Sequence, residues 1–294
     1  MTHVATLIGT SILDPDLVAR ARTALPGAGD PVRLGPDAAD IPFSAAPDAD
    51  QRAVAETLRH ATRQPVDAVV QPAAHRRKKL FLADMDSTMI GQECIDELAD
   101  YAGLKTYVAA ITDRAMRGEI EFTPALRERV ALLRDMPLTV IDEVLAQRIT
   151  PTPGARTLVS TMRANGAYTC LVSGGFTLFT GRIADLLGFD EARANTLEVS
   201  GERLTGNVIE PVFGREQKRA ALLDLRVQRG LAPEETLVAG DGANDMDMIA
   251  EAGLGVAFHA KPAVAAVAPA RIDHADLTAL LYVQGYRRKE FVEA

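Results

Sequence analysis

The chain reads as an α/β protein: an open parallel sheet, interrupted by a helical block and preceded by a small α+β unit. Three observations predict this. Leu80-Phe81-Leu82-Ala83 is a short apolar run that ends abruptly in Asp84-Met85-Asp86, as a buried parallel strand does. From about residue 150 onwards, similar runs alternate with helical stretches. Residues 92–147 between them show helical periodicity only. The 294 residues, 47% hydrophobic and without Trp, suffice for a large core. A net charge of -8 with no long basic block argues against nucleic acid as a partner. No stretch approaches the roughly 20 apolar residues of a membrane span, and the first residues lack a basic, apolar leader pattern. Two cysteines, Cys94 and Cys170, suggest no disulfide framework, so a cytoplasmic location is expected.

In chain order, Val4 to Ile8 predicts a strand. Asp14-Pro15 marks a helix start, with the acid as cap and proline at the first position, and Pro26-Gly27 closes that helix after Leu25. Val32 to Leu34 and Ile41 to Phe43 are weak strands around a Pro-Asp turn. Ala53 to Thr62 is an amphipathic helix and Val66 to Val70 a strand. This succession is the ferredoxin-like split pattern. It resembles the ACT-type domains that accompany amino-acid enzymes, and it fits equally a packing module or a homodimer contact without ligand. The tract His75-Arg76-Arg77-Lys78-Lys79 is expected to be a solvated linker.

After the Asp84 strand, Ile95, Leu98, Ala99 and Ala102 recur at helical spacing until Gly103. Thr123-Pro124 predicts a second helix start, with Leu126, Val130 and Leu133 on one face, and Pro137-Leu138-Thr139 opens a helix to Gln147. The block reads as a helical cap inserted over the site. Ala155 to Ala164 is a helix stopped by Asn165-Gly166. Tyr168 to Val172 is a strand running into Ser173-Gly174-Gly175, with a helix from Phe176 to Leu187. A hydroxyl and two glycines at such a junction make either an anion cradle or a plain turn. Asn195 to Phe213 suggests a β-hairpin, and Arg215 to Arg229 a helix containing Lys218. Thr236 to Ala239 is a strand that ends in Gly240-Asp241-Gly242-Ala243-Asn244-Asp245. Leu254 to Phe258, a helix from Lys261, Arg271-Ile272 and a helix from Asp276 to Val283 complete the sheet. The expected units are 1–75, a core of 76–91 with 150–294, and a cap of 92–149.

Asp84 and Asp86 repel each other unless a cation or proton intervenes, so a divalent metal is the first expectation. Asp241 and Asp245 have the look of further metal ligands. If these acids, the Ser173-Gly174 pair and Lys218 share one sheet edge, they suit phosphoryl transfer, which needs positioning and charge neutralisation.

Asp84-x-Asp86-x-Thr88, Ser173-Gly174, Lys218 and Gly240-Asp241-Gly242-x-Asn244-Asp245 match in order the motifs of the haloacid dehalogenase-like phosphatases. The chain resembles that family from about residue 80 to its end. With Ser87, Glu93, the Phe122 and Arg127-Glu128-Arg129-Val130 stretches and Ser173 to Phe176, it is similar to the branch acting on phosphoserine. The resemblance implies a Rossmann-like parallel core with an inserted cap. It implies Asp84 as nucleophile, Asp86 as general acid and base, and Mg2+ on Asp84, the Asp86 carbonyl, Asp241 and Asp245. Ser173, Gly174 and Lys218 would hold phosphoryl oxygens, and Asn244 the phosphate or its water. Glu93 would pair with the substrate ammonium and Arg129 with its carboxylate; Met116 and Phe122 would wall the pocket. Without the resemblance, Glu93 and Arg129 read as ordinary helix residues and Asp247 as a solvent-facing acid. Competing readings are another small phosphate ester as substrate and a non-catalytic amino-acid sensor.

Overall fold

A computed structural model describes residues 1–46 and 49–293. The first unit runs β1 (His3–Ile8), α1 (Pro15–Thr23), β2 (Val32–Arg33), β3 (Ala38–Phe43), α2 (Gln51–Thr62) and β4 (Asp67–Pro72). Asp14 caps α1 as expected, accepting the Asp16 N–H at 2.9 Å. The helix expected from Ala53 begins earlier, because the Asp50 carboxylate caps the N–H groups of Arg52 and Ala53. The strands form an antiparallel sheet in the order β2-β3-β1-β4, the split βαβ arrangement. Strand alternation gives the sheet two apolar faces. Ala5, Leu7, Ile41, Ala68 and Val70 pack with Leu17, Val18 and Leu58 of the two helices. Ile8, Ala38 and Val69 join the main core instead.

The main sheet is built from β5 (Leu80–Ala83), β6 (Tyr168–Phe176), β7 (Glu191–Ser200), β8 (Arg203–Ile209), β9 (Thr236–Gly240), β10 (Leu254–Phe258) and β11 (Ala270–Ile272). Its order is β11-β10-β9-β5-β6-β7-β8. The chain first builds outward from β5 to β8, then returns to the other side of β5. The ends of β5 and β9 therefore flank the switch point where an open α/β sheet places its ligand. All pairings are parallel except β7 with β8. β7 thus serves both as a sheet strand and as one arm of the expected hairpin, which turns at Gly201 with φ +61°.

Between β5 and β6 lie α3 (Cys94–Tyr101), α4 (Lys105–Met116), α5 (Phe122–Ala131) and α6 (Thr139–Gln147), followed by α7 (Ala155–Ala164). The helix expected to be capped at Thr123 starts at Phe122 after Glu121, which makes no side-chain cap bond. Pro124 falls within its first turn, where a missing N–H costs nothing. The remaining helices are α8 (Thr177–Leu187), α9 (Arg215–Gln228), α10 (Met246–Glu251), α11 (Pro262–Ala265) and α12 (Ala279–Val283). One face of the sheet packs Leu82, Val172 and Val238 on Leu222 and Leu225 of α9. The other packs Phe81, Leu171, Leu237 and Val256 on α7, α8 and α12.

The basic tract is not a solvated linker. Arg76 forks onto Asp40 at 2.7 and 3.1 Å and also donates to the carbonyls of Tyr282 and Val283. Lys78 is buried and donates to the Glu234 carbonyl at 2.8 Å. Gln71 donates to the Val283 carbonyl, and the Asp67 carboxylate accepts the N–H groups of Asp273, His274 and Ala275. These bonds seat the first sheet on α12 and on the loop after β11.

Candidate active site

β5 ends at Ala83, and the chain turns at once into a single irregular helical turn, Met85–Met89. Asp84 therefore stands at the strand tip in extended conformation, its Oδ1 accepting the Met85 N–H at 2.8 Å. Asp86 lies inside the turn; its Oδ1 accepts the Cys94 N–H at 2.9 Å, and its Oδ2 accepts the Ser173 hydroxyl at 3.3 Å. The strand-to-helix junction expected at Gly175 comes later. β6 continues with a register shift through Ser173-Gly174-Gly175 to Phe176, and α8 starts at Thr177. Ser173 Oγ also accepts the Gly175 N–H at 2.8 Å, so this hydroxyl is tied to Asp86 and to its own loop.

Beside β5, the tip of β9 carries Asp241, and a short turn brings back Asp245. Lys218 reaches in from the first turns of α9, wholly buried. Its Nζ lies 2.6 Å from Asp84 Oδ1 and 2.7 Å from Asp245 Oδ1. Asp245 Oδ2 accepts the N–H groups of Asp241 and Gly242, each at 3.1 Å. Thr88 donates to Asp241 Oδ1 at 3.0 Å. At Gly240 a Cβ would lie 2.5 Å from the Asp245 carboxyl carbon, so only glycine admits this return.

Carboxylate oxygens of Asp84, Asp241 and Asp245 lie within 4.8 Å of one another, all buried. Burial, then the neighbouring Asp245, raises the Asp84 carboxyl well above the usual range, despite the opposing pull of Lys218. The same two causes push Asp241 up to about 7. Burial lowers Lys218, but Asp245 and Asp84 outweigh it and leave the ammonium firmly charged. One directly paired lysine leaves excess negative charge among buried, oxygen-only donors. The set fits a divalent cation. The side chain of Asp86 is not part of this cluster, being committed to Cys94 and Ser173.

Above this floor the inserted helices close a pocket lined by Asp84, Asp86, Glu93, Met116, Phe122, Arg129, Gly174 and Asn244. The expected wall residues are thus present, and Ile95, Leu126 and Phe176 complete the wall. A Cβ at Gly174 would lie 2.7 Å from the Phe122 ring. Glu93 precedes α3; its Oε1 accepts the Ser87 hydroxyl at 2.7 Å. Burial, followed by the nearby Asp86, raises the Glu93 carboxyl well above the usual range. Arg129, only 2% exposed, donates through Nε to the Ala125 carbonyl and through Nη1 to Thr112. Asn244 Oδ1 is buried without a hydrogen-bond partner among the described residues. Asp247 lies outside the group, paired with Arg215.

The structure brings every expected site residue to this one place. Sequence reading missed the roles of Ser87, Thr88, Asp96 and Thr112. Ser87, in sequence only a member of the matched motif, shows a left-handed φ of 56° in a residue other than glycine.

A family model for haloacid dehalogenase-like hydrolases matches residues 81–250. A phosphoserine phosphatase of Polaromonas sp. is 48% identical over 208 residues, covering 69% of this chain and 88% of the relative. Among solved structures, a HAD family hydrolase from Salmonella enterica serovar Typhi superposes with a TM-score of 0.84 at 29% identity, over 96% of this chain and 98% of that one. A substrate-bound phosphoserine phosphatase gives a TM-score of 0.67 at 40% identity, over 70% of this chain and 97% of that one. The family model alone spans more than half of the sequence, and the aspartates at the tips of β5 and β9 fall inside it. The chain belongs to the haloacid dehalogenase-like hydrolases, in their phosphoserine phosphatase group.

Proposed function

We propose that the protein hydrolyses O-phospho-L-serine to L-serine and phosphate, with Mg2+ as the cation, as the last step of serine synthesis. One observation carries this reading. One pocket has the Asp84 and Asp86 carboxylates at its floor, with Asp84 shared by the buried Asp84–Asp241–Asp245 cluster, and an acid, Glu93, and a cation, Arg129, in its wall. Phosphoserine has the complementary groups: a phosphate, an ammonium and a carboxylate. Burying Glu93 and Arg129 is costly unless each finds a partner, and the substrate provides both.

The Asp84 carboxylate attacks phosphorus, forming an aspartyl-phosphate as the bond to the serine oxygen breaks. Asp86 gives its proton to the departing alkoxide. Burial raises the Asp86 carboxyl, which favours the protonated form this step needs, and the Cys94 N–H and Ser173 hydroxyl fix its orientation. Water then attacks the phosphorus, Asp86 takes its proton, and phosphate leaves as Asp84 is restored. Ser173, the Gly174 N–H and Lys218 hold the phosphoryl oxygens; Asn244 donates to the phosphate through Nδ2 or accepts from the water through its unpartnered Oδ1. Asp84, the Asp86 carbonyl, Asp241 and Asp245 would hold Mg2+, whose charge offsets the repulsion between carboxylate and phosphate. Met116 and Phe122 exclude solvent.

Both cysteines are buried thiols, in keeping with a reducing cytoplasm. A homodimer through the first unit would use the outer surfaces of α1 and α2 or the β2 edge, since α12 covers the other sheet face. The three units of the chain, 1–75, 76–91 with 150–294, and 92–149, then act as buttress, catalyst and selector.

Phosphate release from phosphoserine and from a panel of small phosphate esters, with and without Mg2+, tests this. Wild type should act on phosphoserine in preference and only with Mg2+. Asp84→Asn should lose about four orders of magnitude. Broad activity across the panel would sink the substrate assignment.

A further inference from the structure

Arg129 is held by residues that no motif of the sequence marks. Thr112 of α4 and Asp96 of α3 are almost fully buried, at 2% and 9% exposure. Thr112 Oγ1 lies 2.6 Å from Asp96 Oδ1 and 2.8 Å from Arg129 Nη1. A guanidinium only donates, so the hydroxyl accepts from Arg129; of the two acceptors for its own proton, Asp96 Oδ1 at 2.6 Å is closer than the Val108 carbonyl at 3.1 Å and charged, and takes it. Asp96 makes no direct ion pair with Arg129 among the described residues; the threonine stands between them. The Ala125 carbonyl takes Nε from the other side at 3.0 Å. These contacts leave Nη2 and one hydrogen of Nη1 unengaged, a planar pair of donors on a residue that lines the pocket.

We propose that Thr112, polarised by Asp96, is a positioning residue that fixes the Arg129 fork in the orientation that grips the substrate carboxylate. The inference rests on the reading of Arg129 as the carboxylate ligand. It adds the reason that Arg129 can perform this role with little loss of side-chain entropy: Thr112 of α4, backed by Asp96 of α3, and the Ala125 carbonyl of α5 already hold the guanidinium. A negative charge relayed through one hydroxyl stabilises the buried cation. It also leaves the fork free, which a direct Asp96–Arg129 pair would occupy.

The test compares kcat/KM for phosphoserine with that for O-phosphoethanolamine, which keeps the ammonium and phosphate but lacks the carboxylate. The ratio of the two values is the readout. In Thr112→Val it should fall about tenfold, mostly through KM for phosphoserine, the size of one hydrogen bond to a charged group. Thr112→Ser should restore it, because the hydroxyl is kept. Asp96→Asn, which keeps an acceptor for Thr112, should lower the ratio by roughly threefold and serves if Thr112→Val does not fold. Arg129→Ala supplies the reference. If its loss is equal on both substrates, the carboxylate reading fails and the proposal with it. If Arg129→Ala is selective while Thr112→Val and Asp96→Asn leave the ratio at its wild-type value, the proposal alone is overturned. Failure of Thr112→Ser to restore the ratio overturns it too, since packing rather than the hydroxyl would then be at work.

Discussion

Asp241 shows how a side chain's environment becomes a property of the protein. Its carboxyl sits at about 7, raised by burial and by Asp245. In the unfolded chain the same group titrates near ~3.9. Between these values the folded state holds a proton that the unfolded state has released. The metal-free protein therefore loses stability as pH rises from about 4 to 7, and the loss is complete above. A cation bound to the same oxygens competes with that proton. Mg2+ should accordingly raise the thermal midpoint more at pH 8 than at pH 5. Melting curves with and without Mg2+ at the two pH values check this; an equal shift at both would place the cation away from Asp241.

At the level of elements, the pocket depends on how closely the cap approaches the core. Phe122, the first residue of α5, packs against Gly174 in β6, where a side chain would also meet Asn244 Nδ2 at 3.3 Å. Gly174→Ala should hold the cap off its seat. Overpacking costs about 1–3 kcal/mol, and here it falls on the contact between α5 and β6 beside the pocket. The expected result is a loss of about tenfold or more in kcat/KM with little change in thermal midpoint, read by steady-state kinetics beside a melting curve. A matching drop in midpoint with unchanged kinetics would show that Gly174 matters for folding and not for the shape of the pocket. The glycine is legible in the sequence as part of a Ser-Gly-Gly junction; that an aromatic ring of the cap requires it is not.

For the molecule as a whole, the consequential contact is the seat of the first sheet on α12. Arg76 and Asp40 form a two-pronged pair with side chains only 16% and 9% exposed, and Arg76 also serves two carbonyls of α12. Removing one partner strands the other in a dry interface. Arg76→Met should lower stability by about 3–5 kcal/mol, more than a surface salt bridge could. Urea denaturation measures it, and a change under about 1 kcal/mol would mean that the interface is wet and the pair weak. The double mutant Arg76→Met with Asp40→Leu should recover much of the loss, because neither charge then lacks its partner.

What could be read along the chain was whatever is encoded over a few residues. Leu80 to Ala83 followed by Asp84 announces a strand with its ligand at the tip, because burial on both faces requires a continuous apolar run. Asp14-Pro15 announces a helix start, because the cap is made locally. Asp84, Asp86, Asp241 and Asp245 were therefore visible as candidates, each at or near a strand end, and Lys218 as a candidate near the start of a helix. Their meeting was not, for it depends on the strand order that sets β9 and β6 on either side of β5. The same holds for Arg76, which looks like any solvated linker charge until Asp40 and the carbonyls of α12 lie beside it. Thr112 and Asp96 are ordinary helix residues until three helices converge on Arg129. Hydrophobic periodicity reports which face of an element is buried. It carries no information about which polar group will face which across a buried gap, and that pairing arises only when elements distant in sequence are packed together.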